Sequence, residues 1–387
     1  MATSIFHHNF PETAELQKKA DAADFIIGLD LHKKTTAICV IDLKKSDKPC
    51  FQRKRVANIQ LLETLSLFPG KKIVVAEASY GWGVLKSALD AVEHVTLVLF
   101  DTRKTAAWVK SSGIKNDTVD AQVLAYAALH GGIPRLSVYQ PDPEHRCHFK
   151  LSQLRETLVR QRSRVKNQLK AIDREYGPNP YTGEIPVRSD AAKGMHDLLL
   201  DQLGELNTHI KGIEKRMQDI AENDSIIPLL RSIPCVGPLT AFALRFKIGN
   251  IDRFKSPQHI SSYFGFAVRQ WQSGDGETRG KITKHGDSLI RKLLIQGTQI
   301  LRNSFPHILE LYFPHLANPH EMKFSKHANK VVVAAARKHL TFVYHAWKKQ
   351  QPFDIKKYAE QRLCTSNNIL APSSSPSSLL SSPSNSC

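Results

Sequence analysis

Residues 25–42 read FIIGLDLHKKTTAICVID, which is two short apolar runs separated by a polar segment. The runs FIIGLDL and TAICVID have the length and the β-branched content of strands, and together they predict the start of a β-sheet. The segment FQRKRV predicts a third strand, and the apolar runs IVVAEA and VTLVLF predict two more.

Helical patterns follow the fourth predicted strand. The stretch WGVLKSALDAV predicts a helix before the last strand, and a second helix is predicted from near Asn116 to Gly131 and Gly132, which would end it. Three hairpin-like strands followed by alternating helix and strand predict an α/β domain over residues 24–145. The preceding residues 1–23 are expected to be a loosely ordered leader.

Four carboxylates lie at informative places in this domain. Asp30 lies within the first predicted strand, and Glu77 ends the fourth. Asp117 and Asp120 are three residues apart at a predicted helix start, so they share one face. A carboxylate inside an apolar strand is costly unless a cation compensates it, and two Mg²⁺ ions held by carboxylates can support phosphodiester chemistry. The four residues are therefore predicted to form one site for Mg²⁺ or Mn²⁺.

Each of these residues also has an ordinary structural interpretation. Asp117 could cap the helix and Asp120 could interact with the helix dipole, while Glu77 could cap a helix and Asp30 could occupy a turn. The four residues together, in the order strand, strand, helix with an i,i+3 pair, favour a metal site over these separate structural roles. Actin-like and sugar-kinase ATPases share the opening strand, but we find none of their further Gly-rich phosphate loops. Asp101 is a fifth candidate that we leave outside the set.

The middle of the chain has a heptad pattern, which predicts two long helices over residues 146–224, either antiparallel or pairing between subunits. An ordinary helical bundle would give the same pattern. The first helix has the apolar series Leu151, Leu158, Val165 and Ile172, and the second has Leu199, Leu203, Leu206, Ile210, Ile213, Met217 and Ile220. Phosphates are the expected partners of five basic residues of the first helix, namely Arg155, Arg160, Arg162, Arg164 and Lys166.

Residues 225–354 are predicted to form a third, mainly helical domain. The segment LLRSIPCVGPLTAFALRF suggests two helices joined by a tight turn. In this turn Gly237 would permit an unusual backbone conformation, and Pro238 would begin the second helix. Such a turn presents backbone N–H groups to a phosphate, although an ordinary αα-hairpin is an equal alternative.

Ser273 lies in a Gly-rich loop later in the same domain. A serine hydroxyl becomes a useful nucleophile where a base or electropositive surroundings favour its alkoxide. On these residues alone, a serine before glycine is more often a simple turn residue. The cations near it could also neutralise a scissile phosphate, and they are Arg269, Arg279, Lys281 and Lys284.

The composition restricts the partners and the compartment. The 54 Lys and Arg residues exceed the 36 Asp and Glu residues and give a net charge of +18, which nucleic acid usually balances. No apolar run is long enough to span a membrane, and no signal peptide is evident. Six scattered cysteines suit a reducing cytoplasm, so a cytoplasmic, nucleoid-associated protein is expected. The Ser/Pro-rich residues 355–387 are expected to be disordered.

Three blocks of sequence resemble a known family, the DEDD transposases of the insertion-sequence one-ten group, in the branch with related eleven-eleven elements. The blocks are GLDLHKK, the pair VVAEAS and KNDTVDAQVLA, and the long ordered series IPCVGPLTA, RFKSPQHISSYFGF and SGDGETRGKITKHGD. They span about residues 25–300, and HANKVVVAAARKHLTFVYHAW extends the likeness towards residue 347.

The resemblance implies a fold and a mechanism. The fold is an α/β RuvC/RNase H-like domain, a helical coiled-coil segment and a mainly α C-terminal domain with a helix-hairpin-helix-like turn. Ser273 would attack DNA and form a covalent phosphoserine link. The site would combine domains from different subunits of a dimer or tetramer, and a structured RNA would guide the choice of double-stranded target for the donor DNA. The implied metal ligands are Asp30, Glu77, Asp117 and Asp120.

Two departures from the family pattern affect the third domain. Cys235 stands where the family usually has Gly in the turn, and GFAVRQWQSGDG is more irregular than the common segment before the serine. The leading hypothesis is a transposase or site-specific recombinase. A RuvC-type junction endonuclease would need the carboxylates but not Ser273. A non-catalytic RNA- or DNA-binding protein would not need the gathered carboxylates, which repel nucleic acid without metal.

Overall fold

The computed structural model describes residues 11–79, 81–111, 117–177, 181–183, 190–273, 276–313 and 328–361. The chain divides into two compact units, Met1–Asp224 with Phe242–Ile290 and Ser225–Ala241 with Arg291–Cys387. The predicted third domain, residues 225–354, is distributed over both units. A mixed α/β sheet near the N-terminus is followed by mostly helical structure, as expected. No helix in the described ranges is long and apolar enough to cross a membrane.

All five predicted strands are present in one sheet of order β3-β2-β1-β4-β5. The strand β1 pairs antiparallel with β2, which pairs antiparallel with β3. On its other side β1 is parallel to β4, which is parallel to β5. The hairpin at the start of the chain therefore lies beside the parallel half of the sheet. The strands are β1 (Phe25–Leu31), β2 (Thr35–Asp42), β3 (Pro49–Ala57), β4 (Lys72–Glu77) and β5 (Val95–Phe100).

Each face of the sheet has its own apolar cluster, because successive side chains of a strand point to opposite faces. One cluster contains Ile26, Ile73 and the alanines of helix α5 (Asp117–Leu129), and the other contains Ile27 and Leu29. The first helices of the chain are α1 (Pro11–Asp21), α2 (Leu61–Ser66), α3 (Trp82–Leu89), α4 (Thr102–Ser111), α5 (Asp117–Leu129) and α6 (Ile133–Leu136).

The leader is more ordered than the sequence suggested. Residues 1–23 were expected to be loose, but α1 is a helix that packs Leu16 and buried Ala20 against the α5 side of the sheet. Its first residue is Pro11, a proline at the start of a helix, where its missing N–H is not needed. Helices α2 and α4 were also not predicted.

The heptad segments form two long helices, α7 (Pro143–Tyr176) and α8 (Asp190–Glu222), which pack together within one chain. Arg155 pairs with Glu214, Arg162 donates to Asn207, and His196 lies near Asp173, so later positions on α7 meet earlier positions on α8. The two helices are therefore antiparallel. All seven predicted apolar residues of α8 are buried or half-buried, which agrees with the predicted seam.

The rest of the first unit contains aromatic residues packed around a buried arginine. The guanidinium of Arg253 lies 4.1 Å from the ring centroids of Tyr139 and Phe254 and 4.4 Å from that of Tyr263. Its Nε donates to the carbonyl of Ile248. The elements of this region are α10 (Pro238–Ile248), which begins in the second unit, α11 (Pro257–Tyr263), β6 (Val268–Ser273) and β7 (Gly276–Ile282).

The second unit is helical among its described residues. Tyr312 is fully buried and its ring packs edge-on against His339, Phe342 and Tyr358. Burial lowers the pKa of His339 to about 4, so its ring is neutral at pH 7. Residues 355–361, expected to belong to the disordered tail, form helix α15, and residues 362–387 lie outside the described residues. The other helices are α9 (Ile226–Arg231), α12 (Ser288–Ser304), which begins in the first unit, α13 (Pro306–Tyr312) and α14 (Ala328–Lys349).

Candidate active site

Asp30 and Glu77 lie side by side on one face of the sheet. In the parallel pair of β1 and β4, Leu29 is opposite Ala76, so Asp30 and Glu77 are the next residues in register. Leu29 and Ala76 belong to the apolar cluster on one face. Because side chains alternate along a strand, Asp30 and Glu77 point to the other face, which α5 covers.

Helix α5 reaches this face because Gly28 has no side chain. A Cβ at Gly28 would lie 1.9 Å from the backbone oxygen of Ala121, so the helix backbone packs directly on the strand. Gly28 is two residues before Asp30 and therefore faces the same way. Asp117 begins α5 one turn before Ala121, and Asp120 also belongs to the first turn. The close approach thus brings the first turn of α5 to Asp30.

The electrostatics of Asp30 reflect this convergence. Burial raises the pKa of Asp30, and the negative charges of Asp120, Asp117 and Glu77 raise it further, while His32 acts in the opposite direction. The other three carboxylates predicted from the sequence therefore lie close enough to Asp30 to repel its charge. Such a concentration of like charge is unfavourable unless protons or cations balance it.

His32 joins this cluster, although the sequence analysis did not select it. Its Nε2 lies 3.3 Å from Oδ2 of Asp30 and 3.7 Å from Oδ2 of Asp117. These three ligand atoms all lie within 4.8 Å of one another. The available signal was the spacing D-x-H, because residues two apart in an extended chain point the same way. His32 was instead assigned to the polar segment between the first two predicted strands.

Glu77 and Asp101 have different surroundings at the ends of neighbouring strands. The Glu77 carboxylate accepts a hydrogen bond from Oγ1 of Thr105, which is buried on α4. Asp101 accepts a hydrogen bond from the backbone N–H of Arg103 at 2.9 Å and contacts the Arg103 guanidinium, so it caps α4. Thr105 thus orients one oxygen of Glu77, and the contacts of Asp101 are those of a helix cap.

The donor set fits a hard divalent cation. Carboxylate oxygens are the preferred ligands of Mg²⁺, and a mixed set of carboxylate and imidazole also suits Mn²⁺. The Asp30 side chain is 24% exposed and the Asp117 side chain 38% exposed, so the cluster is open to solvent and substrate on one side. The mutual repulsion at Asp30 is what a bound cation would relieve.

Ser273 does not lie in the loop that the sequence predicted. It is the last residue of β6, and it pairs with Gly276 at the start of β7 in a two-stranded antiparallel ribbon. Gly274 and Asp275 lie outside the described residues, as do the side chains of 270–279, including those of Ser273 and Arg279. Around the ribbon, Arg269, Lys281 and Lys284 are exposed.

The turn between α9 and α10 has a left-handed residue, but at a different position from the predicted one. Cys235 has a φ of +59°, whereas Gly237 is not among the residues with positive φ. Glycine adopts positive φ without strain, so Cys235 has a backbone cost here that glycine would not have. Gly237 is exposed with open space around its Cα, and Pro238 begins α10 as predicted.

Three of the five basic residues predicted to contact phosphates have partners within the chain. Arg155 forms a hydrogen-bonded ion pair with Glu214 at 2.7 Å, and Arg162 donates to Asn207 at 3.3 Å. Arg160 is exposed but pairs with the buried carboxylate of Glu156 at 2.9 Å. Arg155 and Arg162 thus help to join α7 to α8. The other two, Arg164 and Lys166, are exposed.

Comparison with known sequences identifies the class of protein. The profile described as "Transposase IS116/IS110/IS902 family" matches residues 227–312, and the DEDD transposase profile of the IS110 group matches residues 27–178. The two segments together span more than half of the chain and define it as a transposase, an enzyme that acts on DNA. The chain belongs to the IS110 family of DEDD transposases, which implies the use of a divalent metal.

Relatives with similar sequences carry transposase and inversion functions in their names. The transposase for insertion sequence element IS1328 of Yersinia enterocolitica is 27% identical over 83% of this chain and 95% of its own length. The transposase for IS1111A of Coxiella burnetii is 29% identical over 71% of this chain and 77% of its own. A pilin gene-inverting protein of Moraxella lacunata is 26% identical over 85% of this chain and 97% of its own length.

Proposed function

We propose that this transposase cuts and rejoins double-stranded DNA with a divalent metal centre and a serine nucleophile. The metal centre consists of the carboxylates of Asp30, Glu77, Asp117 and Asp120, with Mg²⁺ or Mn²⁺ as the cation. The nucleophile is Ser273. The observation that carries the proposal is the convergence of carboxylates from two adjacent strands and one helix start, expressed in the raised pKa of Asp30.

The strand order supports assignment of the first domain to the RuvC/RNase H-like fold. The sheet has three antiparallel strands followed by two parallel ones, with β1 in the centre, and the carboxylates lie at β1, at β4 and at the start of α5, the second helix after β5. In this fold class the site lies at the central strand, as Asp30 does here. The antiparallel pair of α7 and α8 supports a coiled-coil arm, and the turn before Pro238 supports a helix-hairpin-helix-like phosphate contact.

The chemistry is a transfer of a phosphodiester between oxygens. The Ser273 hydroxyl gives up its proton to a base, and its Oγ forms a bond to phosphorus. The bond from phosphorus to the leaving deoxyribose oxygen breaks, and this oxygen takes up a proton. A hydroxyl of the new DNA partner then reverses the step and releases the serine. When bound, the metal stabilises negative charge on the attacking and leaving oxygens.

The proposed partners follow from charge and from the family. The net charge of +18 favours nucleic acid, and the exposed Arg164 and Lys166 lie on a helix that can contact phosphates. We propose that a structured RNA of the element selects the target, with exposed Gly237, Arg269, Lys281 and Lys284 among the contacts to nucleic acid. We also propose that two subunits of a dimer or tetramer combine to complete each active site.

A covalent-adduct assay tests the proposal. The protein is incubated with DNA carrying an element end, RNA transcribed from the element and Mg²⁺, then denatured and separated by electrophoresis. The wild-type protein should retain DNA, and Ser273→Ala and Asp117→Asn should not. The matched controls Ser288→Ala and Asp219→Asn, which change exposed residues elsewhere, should retain DNA as the wild type does.

The outcomes separate the proposal from its main alternative. If Ser273→Ala still cuts DNA at the wild-type rate, and neither it nor the wild-type protein forms an adduct, water is the nucleophile and the protein is a RuvC-type endonuclease. If Asp117→Asn forms the adduct normally, the carboxylate cluster is not the metal centre of this reaction.

A further inference from the structure

We propose that His32 is a ligand of the metal centre, with its imidazole Nε2 completing the set formed by Asp30 and Asp117. The inference rests on the proposed function and adds a nitrogen donor to a site that the carboxylates alone would make all-oxygen. It also assigns Asn58 as the residue that positions the turn carrying His32.

The distances match those of ligands around a common point. A good charge-assisted hydrogen bond between His32 and either carboxylate would be about 2.7–2.9 Å long. The Nε2 of His32 instead lies 3.3 Å from Asp30 and 3.7 Å from Asp117. Neighbouring ligand atoms around an octahedral cation with bonds of about 2.1 Å are about 3 Å apart, and ligand atoms on opposite sides of the cation are further apart. One nitrogen near two carboxylates at these separations is therefore arranged as a ligand set.

The backbone around His32 is held on both sides. The N–H of His32 donates to the carbonyl of Thr35 at 3.0 Å, which closes the turn between β1 and β2. Asn58, directly after β3, donates from Nδ2 to the carbonyls of His32 at 3.1 Å and Lys33 at 3.4 Å. Its own Oδ1 accepts from Thr36 at 2.8 Å. The backbone of the turn is thus positioned, while the His32 side chain is 45% exposed and can adjust its ring.

A nitrogen ligand changes the preference among metals. Imidazole binds Mn²⁺ better than Mg²⁺, whereas carboxylates suit both cations. A centre that includes His32 should therefore favour Mn²⁺ over Mg²⁺ more than an all-carboxylate centre would. Removal of the imidazole should reduce this preference while leaving the carboxylates in place.

Electron spin-echo spectroscopy of Mn²⁺ provides the direct test, at one fixed pH and with the full-length protein. The wild-type protein with bound Mn²⁺ should show hyperfine coupling to a directly bound imidazole nitrogen. His32→Ala should lose this coupling, and its Mn²⁺ affinity in a binding titration should fall about tenfold, with a smaller fall for Mg²⁺. The matched control is His209→Ala, which changes an exposed histidine of α8. It should keep both the nitrogen coupling and the wild-type Mn²⁺ affinity.

A second variant tests the positioning role. Asn58→Asp keeps the shape and the acceptor for Thr36 but removes the two N–H donors to the turn. It should weaken Mn²⁺ binding less than His32→Ala does, with the nitrogen coupling reduced rather than absent.

The results distinguish this inference from the proposed function. If Asp30→Asn abolishes Mn²⁺ binding but the wild type shows no nitrogen coupling, His32 is only a neighbouring cation and the inference is wrong, while the metal centre stands. If Mn²⁺ does not bind the wild type, or binds Asp30→Asn equally well, both the inference and the proposed centre are wrong.

Discussion

The carboxylate cluster proposed as the metal centre and the serine ribbon are built in different ways. Asp30 and Glu77 extend from neighbouring strands in the middle of a five-stranded sheet that has an apolar cluster on each face. Ser273 instead ends one strand of a two-stranded ribbon. A ribbon of two strands has marginal stability by itself, whereas a larger sheet with packed faces is stable. The carboxylates are therefore positioned by the core of the fold, and the serine by a much smaller element.

This difference suits the proposed reaction, which needs both parts at one phosphate. A catalytic group that must be placed within about 0.5 Å is best supported by rigid elements, and the sheet provides such support for the metal ligands. A ribbon can adjust when DNA or another subunit contacts it. We therefore expect that metal binding can be separated from serine chemistry by mutation.

The largest effect should come from two glycines that allow close backbone approaches. A Cβ at Gly28 would lie 1.9 Å from the carbonyl oxygen of Ala121, and one at Gly265 would lie 1.9 Å from that of His285 at the base of the ribbon. Gly28→Ala should lower the free energy of unfolding by about 3 kcal/mol and abolish Mn²⁺ binding, because α5 must move away from β1.

Gly265→Ala is the matched comparison. Gly265 has a φ of +77° and accepts a hydrogen bond from the N–H of Lys284, so the substitution should cost about 2 kcal/mol and distort the ribbon. It should leave Mn²⁺ affinity unchanged while preventing the DNA adduct. Denaturant unfolding and metal titration measure these effects, and equal loss of Mn²⁺ binding in both variants would contradict the separation.

A smaller effect is expected at Asp30, where substitution should raise the free energy of unfolding rather than lower it. Its pKa is raised in the folded protein, so without metal its contribution to stability is present at low pH and is lost as pH rises from about 4 through the raised pKa. Asp30→Asn should therefore be about 1 kcal/mol more stable than the wild type at pH 7 in a chelator. With saturating Mn²⁺ the order should reverse, because only the wild type gains binding energy. Thermal unfolding under both conditions tests the reversal, and its absence would mean that Asp30 binds no metal.

A substitution in the turn before α10 should also raise the free energy of unfolding. Cys235 has a φ of +59°, which costs free energy for any residue with a Cβ, and glycine removes that cost. Cys235→Gly should stabilise the protein by about 1 kcal/mol, seen as a higher denaturant midpoint with an unchanged slope. A lower midpoint would show that contacts of the thiol outweigh the backbone strain.

The smallest effect concerns the basic face of α7. Arg164 and Lys166 are exposed, whereas Arg155 and Arg162 bond to Glu214 and Asn207. Replacing Arg164 and Lys166 with Gln should make the salt dependence of duplex DNA binding shallower, by about 0.9 in logarithmic slope for each phosphate that the protein no longer neutralises. The same replacement at Arg155 and Arg162 should change the slope less and instead loosen the helix pair. Equal slopes in the wild type and in both double variants would mean that Arg164 and Lys166 serve solubility rather than DNA binding.

Much of the carboxylate cluster could be predicted from the sequence, because its signals are local. Apolar alternation identified β1 and β4, and the same alternation gives the direction of Asp30 and Glu77. The i,i+3 spacing of Asp117 and Asp120 placed them on one helix face. The closeness of α5 to β1 could not be predicted, because it depends on which residue of a distant helix meets Gly28. His32 was missed for a different reason, since its D-x-H spacing to Asp30 is local but His32 fell in the polar segment between the first two predicted strands.

The ribbon shows where the sequence contains competing signals. The glycines around Ser273 suggested a loop, but the dipeptide Gly274-Asp275, which separates the paired residues Ser273 and Gly276, is also a hairpin signal. The polar strands that flank it lack the apolar alternation by which β1 and β4 were found. In the basic helix, charge alone did not reveal which arginines pair across the two helices, since Glu214 and Asn207 lie far along the chain.

The most direct test of the serine mechanism is to locate the covalent bond between protein and DNA. The adduct formed by the wild-type protein with element-end DNA and Mg²⁺ is digested with nuclease and protease, and the modified peptide is sequenced by mass spectrometry. We predict a nucleotide phosphate on Ser273, absent when Asp30→Asn is used in place of the wild type. Attachment at another residue, or cleavage to free ends with no modified peptide, would contradict this mechanism.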